Sequence, residues 1–222
     1  MAKLPPTERT RVRRHPERGS YEAATVHAIL DATPVCQVAF AVEGRPQLIP
    51  MLHWREGDRL YLHASRGSRM ALALAKGAEV CVAVTLLDGM VLARSAFSHS
   101  MNYRSVAVFG SFTEVTDGAA KLAHLQAMFD RLLPGRWPQC RPPTAEELEQ
   151  TAVLELPLLE AVAKVRSGPP MDDQGDLDFP AWAGVLPLQG RWGPPVPVAG
   201  QDPGLRLPPE LLRRLGDPAG SA

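Results

Sequence analysis

The sequence predicts a mainly β protein with helices, built as a small antiparallel barrel of six strands. Three observations lead there. Six strand-like runs lie between Val35 and Arg166. Short polar turns or single helices join most of them, as antiparallel neighbours allow. Helical spacing is confined to brief segments between the runs, which places helices outside one sheet instead of between parallel strands.

Taken in order, Ser20 can cap a short helix through Asp31, with Val26, Ile29 and Leu30 at helical spacing. Strands are expected over Val35–Val42 and Gln47–Trp54, separated by Glu43-Gly44-Arg45-Pro46. The polar turn 55–59 leads to a third, Leu60–Ala64. A helix over Ser68–Lys76 stops at Gly77. Glu79–Leu87 and Tyr103–Val115 read as strands four and five. Asp117 caps a helix whose Leu122, Leu125, Met128 and Leu132 form one apolar stripe. Thr144 and Glu147 have capping-box spacing. The last strand runs from Thr151 to Arg166, with Pro157 marking an edge or a bulge.

Three regions follow: a basic arm at 1–18, a barrel domain at 19–190 and a proline-rich tail at 191–222, irregular and mobile from about Gln201. Half of the 22 prolines lie beyond residue 167. The arm is expected to be solvated or to fold over a partner subunit. Twenty-four basic residues balance 24 acidic ones, which argues against a nucleic-acid binder. No apolar run reaches the roughly 18 residues of a membrane helix, and the arm has no apolar secretory core, so a soluble cytoplasmic protein is expected. Cys36, Cys81 and Cys140 form no pair with metal-site or redox spacing.

The hairpin and the loop after it carry the chemistry. A turn centred near Gly57 would pair Met51 with His63 and His53 with Tyr61, placing these four on one ligand-facing side. Leu52, Trp54, Leu60 and Leu62 would then face the core. No carboxylate or cysteine joins the two histidines, so no metal is expected. Ser65-Arg66-Gly67-Ser68-Arg69 runs into a helix start. Two hydroxyls, two guanidiniums and free backbone N–H groups suit a phosphate monoester.

These segments resemble the pyridoxamine 5'-phosphate oxidase-like split-barrel flavoproteins, and more closely their flavin-nucleotide-binding subgroup, which includes nitroimidazole-resistance reductases. The resemblance is carried by Gly44-Arg45-Pro46, Ile49-Pro50, Leu60 to Ser65, Gly67-Ser68-Arg69, Asp88-Gly89, Arg94-Ser95, Asn102 to Ser105, Gly110, Lys164-Val165-Arg166 and Trp182 to Pro187. It implies a six-stranded antiparallel split β-barrel, homodimeric, with FMN at the subunit interface. Ile49, Pro50, Met51 and His53 would run along the isoalloxazine. His63, Ala64 and Ser65 would meet the ribityl chain or phosphate, and Ser68 and Arg69, helped by Arg66, would hold the phosphate. Ser105 would be a polar flavin contact, and Trp182 would pack on the cofactor across the dimer.

The sequence also departs from the oxidases. Met70 replaces the lysine after the phosphate-binding arginine, and His53 stands where they place a substrate-phosphate lysine. No histidine follows His124, so their C-terminal Arg-x-His motif is missing. The resemblance therefore implies an FMN-dependent oxidoreductase passing electrons from a reduced nicotinamide or similar donor to a small organic acceptor, not a pyridoxamine phosphate oxidase. A non-catalytic flavin module, or a haem-binding barrel using His53 or His63, is the alternative reading.

Overall fold

A computed structural model describes residues 3–216. In chain order the elements are β1 (Gly19–Ser20), α1 (Ala23–Asp31), β2 (Val35–Val42), β3 (Arg45–Glu56), β4 (Arg59–Ser65), α2 (Arg69–Ala75), β5 (Glu79–Leu92), β6 (Ser100–Ser111), β7 (Thr113–Glu114), α3 (Gly118–Leu132), α4 (Ala145–Gln150), β8 (Thr151–Pro157), β9 (Glu160–Arg166), β10 (Gly184–Pro187) and α5 (Pro209–Arg214). The strands form one curled antiparallel sheet in the order β1-β9-β6-β5-β2-β3-β4-β8-β7, and β10 adds to the far half of β5.

Among the described residues ten strands therefore replace the expected six. Two of the extra four arise where one run is two strands. The run from Thr151 to Arg166 breaks after Pro157, turns at Leu158-Leu159 and continues as β9. β8 pairs with β4 while β9 pairs with β6, so the two belong to different parts of the sheet. The run from Tyr103 likewise divides into β6 and β7 at Phe112. β1 and β10 are too short, at two and four residues, to show a period of their own.

Inside the curl, Val38, Leu62, Val82, Val108 and Leu154 are fully buried, with Ile29 and Leu30 of α1 and Leu74 of α2. A second core lies on the outer side of the β3–β4–β8 region, where Trp54, Tyr61 and Val153 pack under Met128 of α3. The helix starts follow local rules. Ser68 Oγ accepts from Ala71 N–H at 3.2 Å, Asp117 Oδ1 from Ala120 N–H at 2.8 Å, and Thr144 with Glu147 completes a capping box. Ser20 is no cap: it lies in β1, and Glu22 precedes α1 without a side-chain bond.

Most of the arm is exposed, as a solvated segment would be, yet it is tied to the body. Leu4 N–H donates to the Tyr21 carbonyl at 2.8 Å, Tyr21 Oη donates to the Thr10 carbonyl at 3.0 Å, and Thr10 is buried. Thr7 and Arg9 both donate to the Glu160 carboxylate, which fastens the arm to the start of β9. The tail is not irregular throughout either, since α5 inserts Leu211 against the body.

Candidate functional site

The hairpin register decides which side chains can meet. The ladder pairs His53 with Leu62, Trp54 with Tyr61 and Glu56 with Arg59, around a two-residue loop of Gly57 and Asp58. Gly57 takes φ +56°, a left-handed conformation open to glycine at little cost. This register is one residue away from the expected one, and a one-residue slip moves side chains to the other face. His53 and His63 therefore lie on opposite faces. Met51 and Ile49 pack against the inner core, Trp54 and Tyr61 form the outer core, and Leu52 is exposed. The shared four-residue face does not exist.

His53 is 1% exposed, and its Nε2 lies 2.9 Å from the Leu30 carbonyl, to which it must donate. Its Nδ1 is buried without a partner. Burial holds its pKa below the ordinary histidine value, against the hydrogen bond to Leu30 and the field of Asp31. His63 is half-buried, also with a partnerless buried Nδ1, and desolvation lowers its pKa too. It faces a cavity of about 400 Å³ with Ala64, Ser65, Glu147, Gln150 and Thr151.

Beyond the His53–Leu62 pair, β3 and β4 separate. β3 remains paired to β2 as far as Arg45, but over 45–52 its opposite edge has no partner strand among the described residues. Ile49, Pro50 and Met51 lie on this open edge, and prolines tolerate such an edge because they have no N–H to pair. β4 continues through His63, Ala64 and Ser65, paired with β8. It then delivers the loop Arg66-Gly67-Ser68 to the start of α2.

Within that loop the charges differ. Arg66 Nε lies 3.3 Å from Glu114 Oε1, so its guanidinium is already engaged. Arg69 is exposed and forms no ion pair among the described residues. Met70, where the resemblance expects a lysine, is 5% exposed and belongs to the inner core. That position points inward and cannot offer a charge to a ligand. One side of the loop opens to a cavity of about 590 Å³ lined by Glu146 and Glu149. Those carboxylates would repel an anion there, which leaves the Ser68–Arg69 side as the cationic one. With only seven residues, α2 adds a small dipole at most.

Ser105 sits on β6 opposite Thr85, and its Oγ donates to the Lys164 carbonyl at 3.2 Å. It shares the outer face with Ala107, whereas Val106 and Val108 are buried inside. Trp182 is 64% exposed, and its indole covers Gly184 at the start of β10. None of the described cavities brings it to the loop of residues 65–69. The sequence reading missed the pairing of β10 with β5. Gly89 was the available signal: a Cβ there would lie 2.7 Å from the Leu186 carbonyl oxygen, so only glycine admits the strand.

Comparison with known proteins agrees with this architecture. The family profile described as pyridoxamine 5'-phosphate oxidase matches residues 22–165. No curated protein sequence matches. Among solved structures, the chain is similar to the flavocytochrome Anf3 from Azotobacter vinelandii, with 43% identity over 94% of this chain and 97% of that one, at a TM-score of 0.89. A second similar structure is the FAD and heme binding protein from Mycobacterium smegmatis, with 37% identity over 89% and 97% of the two chains and a TM-score of 0.84. A candidate 5-nitroimidazole antibiotic resistance protein from Bacteroides thetaiotaomicron shares the fold at 20% identity, over 66% and 86% of the chains, with a TM-score of 0.57. With a curled antiparallel sheet and a family match over most of its length, the chain belongs to the pyridoxamine 5'-phosphate oxidase family.

Proposed function

We propose that the protein is a flavin-binding redox protein that holds the flavin phosphate at Ser68 and Arg69 and the ring system along the open edge of β3. The carrying observation is that edge. On the edge turned away from β2, the backbone over 45–52 has no partner strand among the described residues, and the cationic turn into α2 begins where β4 leaves β3. A flavin's ring edge alternates donors and acceptors, so an unpaired strand edge suits it. A doubly charged phosphate suits the one arginine of the loop that has no carboxylate partner. FMN is the cofactor proposed; FAD contains the same ring, ribityl chain and first phosphate, and would use the same groups. The flavin, when bound, supplies the electron-transfer chemistry.

Each residue has a defined role in this reading. Arg69 binds the phosphate through its fork of donors, and the Ser68 hydroxyl can still donate while its oxygen caps α2. Arg66 is held back by Glu114 and screens that carboxylate from the phosphate. Ser105 presents a hydroxyl on the outer face, and His63, kept neutral by burial, can accept a proton or a hydrogen bond at the mouth of its cavity. A homodimer completes the proposal. The outer sheet face carries the small side chains Ala39, Ala83 and Ala107 on β2, β5 and β6 beside the exposed Val35, Leu48 and Leu52, and a second copy there would cover the ring. Trp182 of each chain would then be free to reach its partner's cofactor. The electron donor is proposed to be a reduced nicotinamide or a similar reductant, and the acceptor a small organic molecule.

Haem as a second cofactor is favoured by one comparison in particular: the relatives at 43% and 37% identity are described as a flavocytochrome and as an FAD and heme binding protein. The chain's own residues fit such a group, since it holds two buried imidazole nitrogens with no partner. The test is the visible spectrum of purified protein, with the released cofactor identified by mass. Flavin bands support the proposal, and an additional Soret band supports the haem reading. Protein that stays colourless after incubation with FMN, FAD and hemin overturns both.

A further inference from the structure

At the lower end of α3 the tail returns to the body and leaves two adjoining cavities of opposite character. One, of about 350 Å³, is polar, with Asp31, Arg55, Asp130, Arg131 and Arg214 around it and His53 in its wall. The other, of about 530 Å³, is apolar, bounded by Leu52, Met128, Leu132, Leu133, Trp192 and Leu211. Arg214 borders both, as do Asp31, Thr33 and Leu132.

The charges of the polar chamber do not cancel. Asp31 accepts from Arg55 Nε at 3.1 Å and from Arg131 Nη2 at 2.8 Å, so one carboxylate serves two guanidiniums. Asp130 is the only further carboxylate of the lining, against a third guanidinium on Arg214, which has no ion pair among the described residues. The lining is left one positive charge in excess. His53 adds an unused polar atom. Its Nε2 proton is committed to the Leu30 carbonyl, so Nδ1 of the neutral ring offers a lone pair that no protein group uses. A proton donor on an incoming ligand, such as a carboxyl that keeps its proton, would satisfy that lone pair. The neighbouring chamber offers the opposite surface, and its size suits a drug-sized apolar body.

We propose that these two chambers form one binding site for a carboxylic acid with an apolar body, its head at Arg214 in the polar chamber and its body between α3 and the tail beneath Trp192. Two ligands carry that chemistry: a free long-chain acid, and the propionate edge of a haem, the latter resting on the haem reading above. α5 is part of the site through Leu211 and Arg214, so the tail is the element that closes over the ligand.

The experiment uses the full-length, flavin-loaded protein. Dodecanoate is titrated below its micelle concentration and followed by tryptophan emission, with dodecyltrimethylammonium as the cation of equal chain length. Dodecanoate should give a saturable change that the cation does not, and Arg214→Ala should weaken it at least tenfold. Leu211→Glu, which places a charge in the apolar wall, should weaken it as well. Hemin added to the same samples separates the sources. Competition with dodecanoate, together with the same Arg214 dependence, assigns the site to haem; independent binding assigns it to a free acid. No saturable response to dodecanoate or hemin overturns the proposal, as does equal binding of the cation or indifference to Arg214→Ala. Flavin absorbance read in every sample keeps the outcomes distinct, because loss of flavin with intact dodecanoate binding fails only the flavin assignment.

Discussion

Replacing Arg69 with alanine isolates the contact on which the flavin assignment depends. Hydrogen bonds to a charged group contribute about 1.5–3 kcal/mol each, or roughly 10- to 150-fold in affinity. The structure selects the lower end of that range. Arg69 is exposed, so water screens its interaction with a phosphate. No carboxylate has to be abandoned when the ligand arrives, so nothing further reduces the gain. We therefore expect Arg69→Ala to raise the dissociation constant for FMN by about 10- to 30-fold. Arg69→Lys keeps the charge but loses the bidentate fork, and should fall between the two. The assay is quenching of flavin fluorescence on titrating apoprotein. The α2 cap at Ser68 is untouched, and unchanged urea midpoints would verify that the fold is intact. An alanine variant within twofold of the parent, with the fold intact, refutes the phosphate assignment.

Three other outcomes are expected. Ala107→Arg puts a charge among the small side chains of the outer face, so sedimentation should report a monomer and flavin affinity should drop more than tenfold; a stable dimer would contradict the proposed interface. Gly89→Val drives a side chain into the Leu186 carbonyl 2.7 Å from the Cβ position, at about 1–3 kcal/mol, and should release 184–187 to proteolysis without unfolding the body. Burial lowers the pKa of His27, His53 and His63, while the unfolded chain titrates near 6.5. Below that pH the unfolded chain binds more protons than the folded one, so stability is full above about pH 6.5 and falls as the pH drops toward the folded values. Urea midpoints at pH 7.5, 6.5 and 5.5 should decline in that order and less steeply in His63→Gln; a flat profile contradicts the burial of these rings.

The parts of the fold governed by local chemistry were legible in the sequence. Ser68, Asp117 and Thr144 begin their helices as their side chains dictate, and β2, β3 and β4 lie within a few residues of their runs. What failed depended on distant partners. The dipeptide Gly57-Asp58 is what a two-residue hairpin loop favours, but with five polar residues over 55–59 the turn reads as centred on Gly57, and that single residue of register moved His53 into the wall beside Leu30 and Tyr61 under α3. Pro157 was noticed as a disturbance, but whether a chain bends or ends at a proline is decided by the strands awaiting it. For the site, the loop chemistry was readable because its residues are contiguous. The open edge of β3 left only a faint mark, Pro46 and Pro50, because prolines are also found at strand starts and bulges.

The turn at Leu158-Leu159 also has a consequence for how the molecule is made. The two strands it joins are consecutive in the chain, yet they complete opposite flanks of the sheet, one beside β4 and the other beside β6. Until that late hairpin is synthesised, both flanks stay raw: β4 waits for Thr151–Pro157 and β6 for Glu160–Arg166, each far downstream of the strand it completes. Such wiring makes assembly slow and leaves the nascent chain prone to clumping. A stop anywhere between α4 and Arg166 should thus yield not a smaller barrel but no barrel.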